Sequence, residues 1–252
     1  MTALADIADY ADRCLETARF QDYCPNGLQV EGARPVRRLV SGVTACLDLI
    51  EAAARRDADA LLVHHGYFWR GESPVLTGMK ARRLRRLLES GIGLLAYHLP
   101  LDAHPQLGNN AQLARRLGLR IEGVLDSDRS APIAMHGVLE SPCDAGELQR
   151  RIERALARKP LLVDGGGGPV RTVGWCTGAA QDDIEYAVRL GLDAFISGEA
   201  SERTTHIARE EGVHYYAAGH HATERYGVQA LGERLAREFS IEHVFIDIDN
   251  PV

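Results

Sequence analysis

The 252-residue chain has no apolar run near the roughly 20 residues that a membrane-spanning helix needs, so no membrane partner is expected. Its five cysteines, at positions 14, 24, 46, 143 and 176, are scattered and odd in number, with no C-x-x-C pair. They read as buried small residues in a reducing compartment. Met1–Phe20 lacks the charged and apolar regions of a signal peptide, so the cytoplasm is the expected location. Lysine is almost missing: of 29 basic residues only Lys80 and Lys159 are lysines, which we attribute to genome composition. With a net charge of −6 and 6% aromatics, there is no basic groove with interleaved rings, and nucleic acid is the disfavoured partner.

What is present is an α/β pattern. Leu4, Ile7, Ala8, Ala11 and Leu15 predict a first helix. Apolar runs at Leu39–Thr44, Ala60–Gly66 and Ile92–His98 read as strands, with helices between them, one placing Leu84, Leu87 and Leu88 inward. Pro100 is expected to end its strand and leave Asp102 on a loop, and Asn109 or Asn110 to cap the next helix. The polar stretch Ser127–Ser130 reads as a domain boundary. Gly165–Gly168 lacks the Lys-Ser/Thr of a phosphate loop and reads as a hairpin connection. Further strands are expected at Val170–Thr177, Asp193–Ser197, Val213–Gly219 and His243–Ile248. The fold class is therefore α/β, with two similar α/β domains carrying mixed, largely parallel sheets. The first domain is 1–126 plus about 240–252, with His64, His65 and Asp102; the second is 127–239, with His220 and Glu224. Glu51–Leu62 and Glu185–Ile196 echo one another and set Val63-His64-His65 against Ser197-Gly198-Glu199.

Histidines and carboxylates gather where these strands end, which is where parallel α/β sheets place ligands. The clusters are His64-His65, then His98 with Asp102 and His104, then Glu199, then His220-His221-Ala222-Thr223-Glu224. Taken singly, each has a plain explanation: a polar strand end, or Glu224 at a positive helix N-terminus. Together, imidazoles and two carboxylates suit a pair of divalent transition ions, and such pairs support hydrolysis. His206 and His214, like His104, read as surface or helix residues.

Five motifs carry a resemblance. They are Asp-Tyr-Cys-Pro-Asn-Gly-Leu-Gln-Val-Glu-Gly (22–32), Leu-Val-His-His-Gly (62–66), Tyr-His-Leu-Pro-Leu-Asp (97–102), Ile-Ser-Gly-Glu (196–199) and Gly-His-His-Ala-Thr-Glu-Arg (219–225). In this order they resemble the Nif3-like proteins, the GTP cyclohydrolase 1 type 2 homologue family, over nearly the whole chain. The resemblance implies a toroidal homohexamer with a dinuclear metal site facing its interior cavity, and the echo between the two halves puts that site in the cleft between the two domains. Its ligands would be His64, His65, Asp102, His220 and Glu224, with Asp102 or Glu224 bridging two divalent ions per subunit of zinc, iron or manganese. His98 and Glu199 are the candidates for proton transfer or for support of a ligand. The expected function is metal-dependent hydrolysis of GTP or a related nucleotide-like molecule. The alternatives are a non-catalytic or regulatory metal-binding ring and redox chemistry at a di-iron site.

Overall fold

The computed structural model describes residues 2–252. The chain divides into two compact units, Met1–Leu101 with Gly227–Asp249, and Asp102–Tyr226 with Asn250–Val252.

The first unit opens with α1 (Leu4–Leu15), which buries the five apolar residues of its sequence periodicity. There follow β1 (Gly27–Val30), β2 (Arg38–Thr44), α2 (Leu47–Ala54), β3 (Ala60–His65), α3 (Gly78–Ser90) and β4 (Gly93–Ala96). α4 (Leu99–Ala103) carries the chain across the division. In the second unit the order is α5 (Asn109–Leu117), β5 (Leu119–Val124), β6 (Met135–Cys143), α6 (Ala145–Leu156), β7 (Leu161–Val163) and β8 (Val170–Cys176). Then come α7 (Ile184–Arg189), β9 (Ala194–Ser197), α8 (Glu202–Glu210) and β10 (His214–Ala217). α9 (His220–Phe239) begins there and leads back to β11 (Glu242–Phe245) in the first unit.

The first sheet has the order β1-β4-β3-β2-β11, parallel except for β1. The central strand β3 is apolar from Ala60 to Val63 because both faces are covered: Leu61, Leu62 and Val63 are all fully buried. The second sheet has the order β5-β6-β8-β9-β10-β7, with β8, β9 and β10 parallel and the outer strands antiparallel. Its core centres on Trp175, Leu148, Ile152 and Tyr216. The echo noted in the sequence falls on equivalent elements. Glu51–Leu62 runs from α2 into β3 and Glu185–Ile196 from α7 into β9, each the helix and second strand of a β-α-β unit.

Several expectations differ from what is observed. The division falls at 101/102 and not at 126/127, because β5 pairs antiparallel with β6 and so belongs to the second sheet. The polar stretch after it is a loop within that sheet, tightened by buried Asp126, which accepts from the Ile133 and Ala134 amides at 3.1 Å. Pro100 does not leave Asp102 on a loop. Its fixed φ suits a helical first turn, and Asp102 lies on α4. Gly165–Gly168 is no hairpin: β7 pairs with β10 at the sheet edge, whereas β8 lies between β6 and β9. Leu88 is 65% exposed, since the stripe of α3 runs through Leu84 and Leu87, on the i, i+3 side. His214 is buried on β10, accepting from the Gly165 amide at 3.3 Å.

β11 brings His243 against Ser41, Nε2 to Oγ 2.7 Å, and Gly232 on α9 makes room for the ring, because a Cβ there would collide with it. Burial holds the His243 imidazole below its ordinary 6.5, with a weaker opposing pull from Glu233. As pH falls the unfolded chain takes up this proton first. The stability contributed by neutral His243 is therefore whole above pH 6.5 and is lost as pH drops toward the folded value. Thermal melts of His243→Gln are expected to fall less steeply below pH 6.5 than those of the parent; parallel acid limbs would rule this out.

Candidate metal centre

In the first unit, β3 ends in two histidines whose rings lie close together. The His64 and His65 centroids are 4.6 Å apart, and His98, just beyond β4, lies 5.1 Å from His64 and 5.7 Å from His65. One ring nitrogen from each of the three falls within 4.8 Å of the others, a grouping that could hold a metal ion. Neighbouring strand residues ordinarily point to opposite faces. Here the strand is at its end and Gly66 follows, packed so tightly against Gln29 and Ala96 that a Cβ has no room.

The other nitrogens of these rings are fixed. His64 Nδ1 lies 2.8 Å from the Tyr97 carbonyl, which can only accept, so Nδ1 carries the hydrogen and Nε2 the lone pair. His98 Nδ1 donates to Asp22 Oδ1 at 2.7 Å, which again turns Nε2 into the acceptor. His65 Nδ1 lies 3.2 Å from Thr44 Oγ1. Asp22 is itself held by the Tyr23 amide at 2.6 Å, Asn26 Nδ2 at 2.9 Å and the Leu99 amide at 2.9 Å. Burial pushes its carboxyl up, but His98 and these donors outweigh that and keep it ionised, below the usual carboxylate range. Asp22 spends both oxygens on donors and so orients His98. Cys24, beside it, is pushed up to about 12, mainly by burial, and stays a thiol.

The second unit has a polar cluster of its own, built around buried carboxylates. Asp102 is 5% exposed and accepts from Asn109 Nδ2 at 2.8 Å and Thr177 Oγ1 at 3.3 Å. Asn110, the next residue on α5, accepts from the Thr177 amide and donates to the Asp102 and Ile133 carbonyls. Neither asparagine caps the helix; Gly108 occupies that position, and both side chains are drawn into the buried polar interior. His220 opens α9 with Nδ1 2.6 Å from Glu199 Oε1 and Nε2 3.2 Å from Glu224 Oε2. Burial lowers the His220 pKa, but the two carboxylates overcome it and lift it to about 9. Such a place attracts positive charge. Gly178 and Gly198 let the backbone approach: a Cβ on Gly178 would collide with Glu224, and one on Gly198 would lie 2.6 Å from the His220 Cα.

The donor set fits a divalent transition ion. Metal-binding histidines ordinarily donate their second ring N–H to a carboxylate or carbonyl, as His64, His98 and His220 do here, and carboxylates complete such sites. Sequence reading missed Asp22, Asn26, Asn109, Gly178 and Gly198. Asp22, Asn26 and Gly198 stand inside quoted motifs, the signal that could have found them.

The fold and these donors define a mixed α/β protein with several histidine and carboxylate groups competent to bind metal. A family model described as Duf34/NIF3 (NGG1p interacting factor 3) matches residues 2–251, and the chain belongs to that family. The GTP cyclohydrolase 1 type 2 homolog of Pseudomonas aeruginosa is 57% identical to it over 249 residues, 99% of this chain and 98% of the relative. A solved structure described as protein ybgI, of unknown function, is 50% identical, covers all of both chains and superposes with a TM-score of 0.96. TTHA1606 from Thermus thermophilus is 34% identical over 98% of this chain and 99% of its own, with a TM-score of 0.86. Among the described residues no helix is long and apolar enough to cross a membrane.

Proposed function

We propose that the protein holds two divalent metal ions on His64, His65, Asp102, His220 and Glu224 and hydrolyses a nucleotide-like small molecule. The observation that carries this reading is the fixed second nitrogen of His64, His98 and His220, with Asp102 and Glu224 both buried. Bound divalent ions supply Lewis-acid polarisation and lower the pKa of water into the neutral range. The chain's own residues do the rest. His98, with Nδ1–H committed to Asp22, accepts a proton at Nε2. Glu199 keeps the Nδ1 hydrogen of His220 in place, so that Nε2 faces Glu224. Asn109 and Thr177 orient Asp102. The family's name supports GTP or a relative of it as substrate, and the resemblance supports a homohexamer.

Protein purified without added metal is expected to carry close to two transition ions per chain by elemental analysis. Asp102→Ala is expected to lose at least one of them, together with any turnover found in a panel of nucleotides. Hydrolysis that persists after Asp102→Ala or after chelation would refute the reading, and light scattering of the purified protein checks the six-copy assembly.

A further inference from the structure

Next to the histidine trio stand aromatic side chains that the core does not use. Tyr23 is 57% exposed, Phe68 39%, and Trp69 is partly exposed. Phe68 also takes a left-handed backbone, φ 66°, unusual for a bulky residue and maintained only where the surroundings impose it. The imposing contacts are hydrogen bonds that tie the 66–70 segment to residues 22–29 and to itself. The Arg70 amide donates to the Tyr23 carbonyl at 2.6 Å, and Arg70 Nη2 to the Asp22 carbonyl at 2.8 Å. The Tyr67 amide donates to Gln29 Oε1 at 2.7 Å, and Trp69 Nε1 to the Gly66 carbonyl at 3.2 Å. These bonds hold an aromatic corner against the trio. The Trp69 ring stands edge-on to His98 at 5.0 Å and lies 6.0 Å from His65, while the Tyr23 ring lies 6.4 Å from His98. The Arg70 guanidinium carbon lies 5.8 Å from the Tyr23 ring centre.

We propose that Tyr23, Trp69 and Arg70 form a recognition subsite for a planar heteroaromatic ring that carries an anionic group, beside His98. This deepens the hydrolase reading and rests on it. Exposed aromatic faces accept any flat π-system by stacking, at a small entropic cost when the rings are already held. Arg70 commits Nη2 to a carbonyl, and its remaining N–H groups suit a phosphate or carboxylate. A purely apolar ligand would have no use for that guanidinium. A sugar phosphate would have none for the rings.

Tryptophan fluorescence of the metal-loaded protein tests this directly. Of the two tryptophans, Trp175 is fully buried, with Nε1 bonded to the Asn110 carbonyl, and serves as a constant background to Trp69. Among GMP, AMP and UMP, at least one is expected to quench saturably, its nucleoside to bind about tenfold more weakly, and ribose 5-phosphate not to compete. Trp69→Ala and Tyr23→Ala should each weaken the nucleotide about tenfold or more, Trp69→Phe should recover most of its competition against a fluorescent analogue, and Arg70→Ala should erase the preference for nucleotide over nucleoside. Metal content should be unchanged in all four variants. No quenching by any of the three nucleotides, equal competition by ribose 5-phosphate, or full affinity in Trp69→Ala and Tyr23→Ala would overturn the subsite. A protein that keeps its metal but fails these tests loses the subsite alone. One that binds the nucleotide through Trp69 with no metal loses the hydrolase reading instead.

Discussion

Gly178→Ala is expected to weaken metal binding by roughly 10- to 100-fold, the range typical of changes that displace a ligand's support. The residue follows β8 with φ +71°, and its amide donates to Thr223 Oγ1 at 3.1 Å. Its carbonyl accepts from the Gly198 amide at 2.9 Å and from Ser197 Oγ at 3.1 Å, so the turn has little freedom to move. A methyl group there runs into the Glu224 carboxylate and lies 3.3 Å from His220 Nε2. Because the backbone is pinned on both sides, Glu224 has to give way. Gly191→Ala is the matched control: its φ of +63° imposes the same left-handed strain, about 1–2 kcal/mol, but a Cβ there meets nothing within 4 Å. Titration of both variants with zinc or manganese should separate collision from strain. Equal affinities would remove Gly178 from any role in shaping the centre.

Asn110→Ala should produce the largest loss of stability among changes near the site, about 3 kcal/mol or more. One fully buried amide holds the Thr177 N–H at 3.0 Å, the Asp102 carbonyl at 3.3 Å and the Ile133 carbonyl at 3.1 Å. Truncation leaves several buried backbone groups without that partner, each costing about 1–3 kcal/mol. Its neighbour separates stability from binding. Asn109→Ala removes the 2.8 Å bond to Asp102 Oδ1, worth about 1 kcal/mol, and metal affinity falls by about tenfold or more. Denaturant melts beside metal titrations would read both quantities. If Asn110→Ala unfolds at the parent's midpoint, the buried amide does not hold this part of the fold together.

Much of this architecture could be read from residue patterns. α1 buries the five residues its spacing nominates, and the apolar runs that end at His65 and His98 are central sheet segments because strands covered on both faces must be apolar throughout. What escaped was decided by distant partners. Asp22 meets His98 from 76 residues away, and a polar residue in a Pro- and Gly-containing loop gives no local sign of such a bond. Asn109 and Asn110 look like caps because local bonding favours that use, but Asp102 and Thr177 compete for them. β5 hides because it is a mostly exposed edge strand with a register irregularity, so neither face shows a clean alternation. Gly178 looks like any turn glycine until Glu224 is placed beside it.

The return of the chain through β11 also bears on how the protein is made. β2 is buried from Leu39 to Val43 in the finished sheet, yet its partner pairs Glu242 with Arg38 and leaves the ribosome about two hundred residues later. At about 5–20 residues per second that is a wait of roughly ten to forty seconds, during which β2 has an open edge. The main segment of the second unit, Asp102–Tyr226, is synthesised within that interval, with only Asn250–Val252 still to come. Nascent chains stalled before Glu242 should therefore carry a protease-resistant second unit beside an unfinished first sheet, the state most in need of a chaperone.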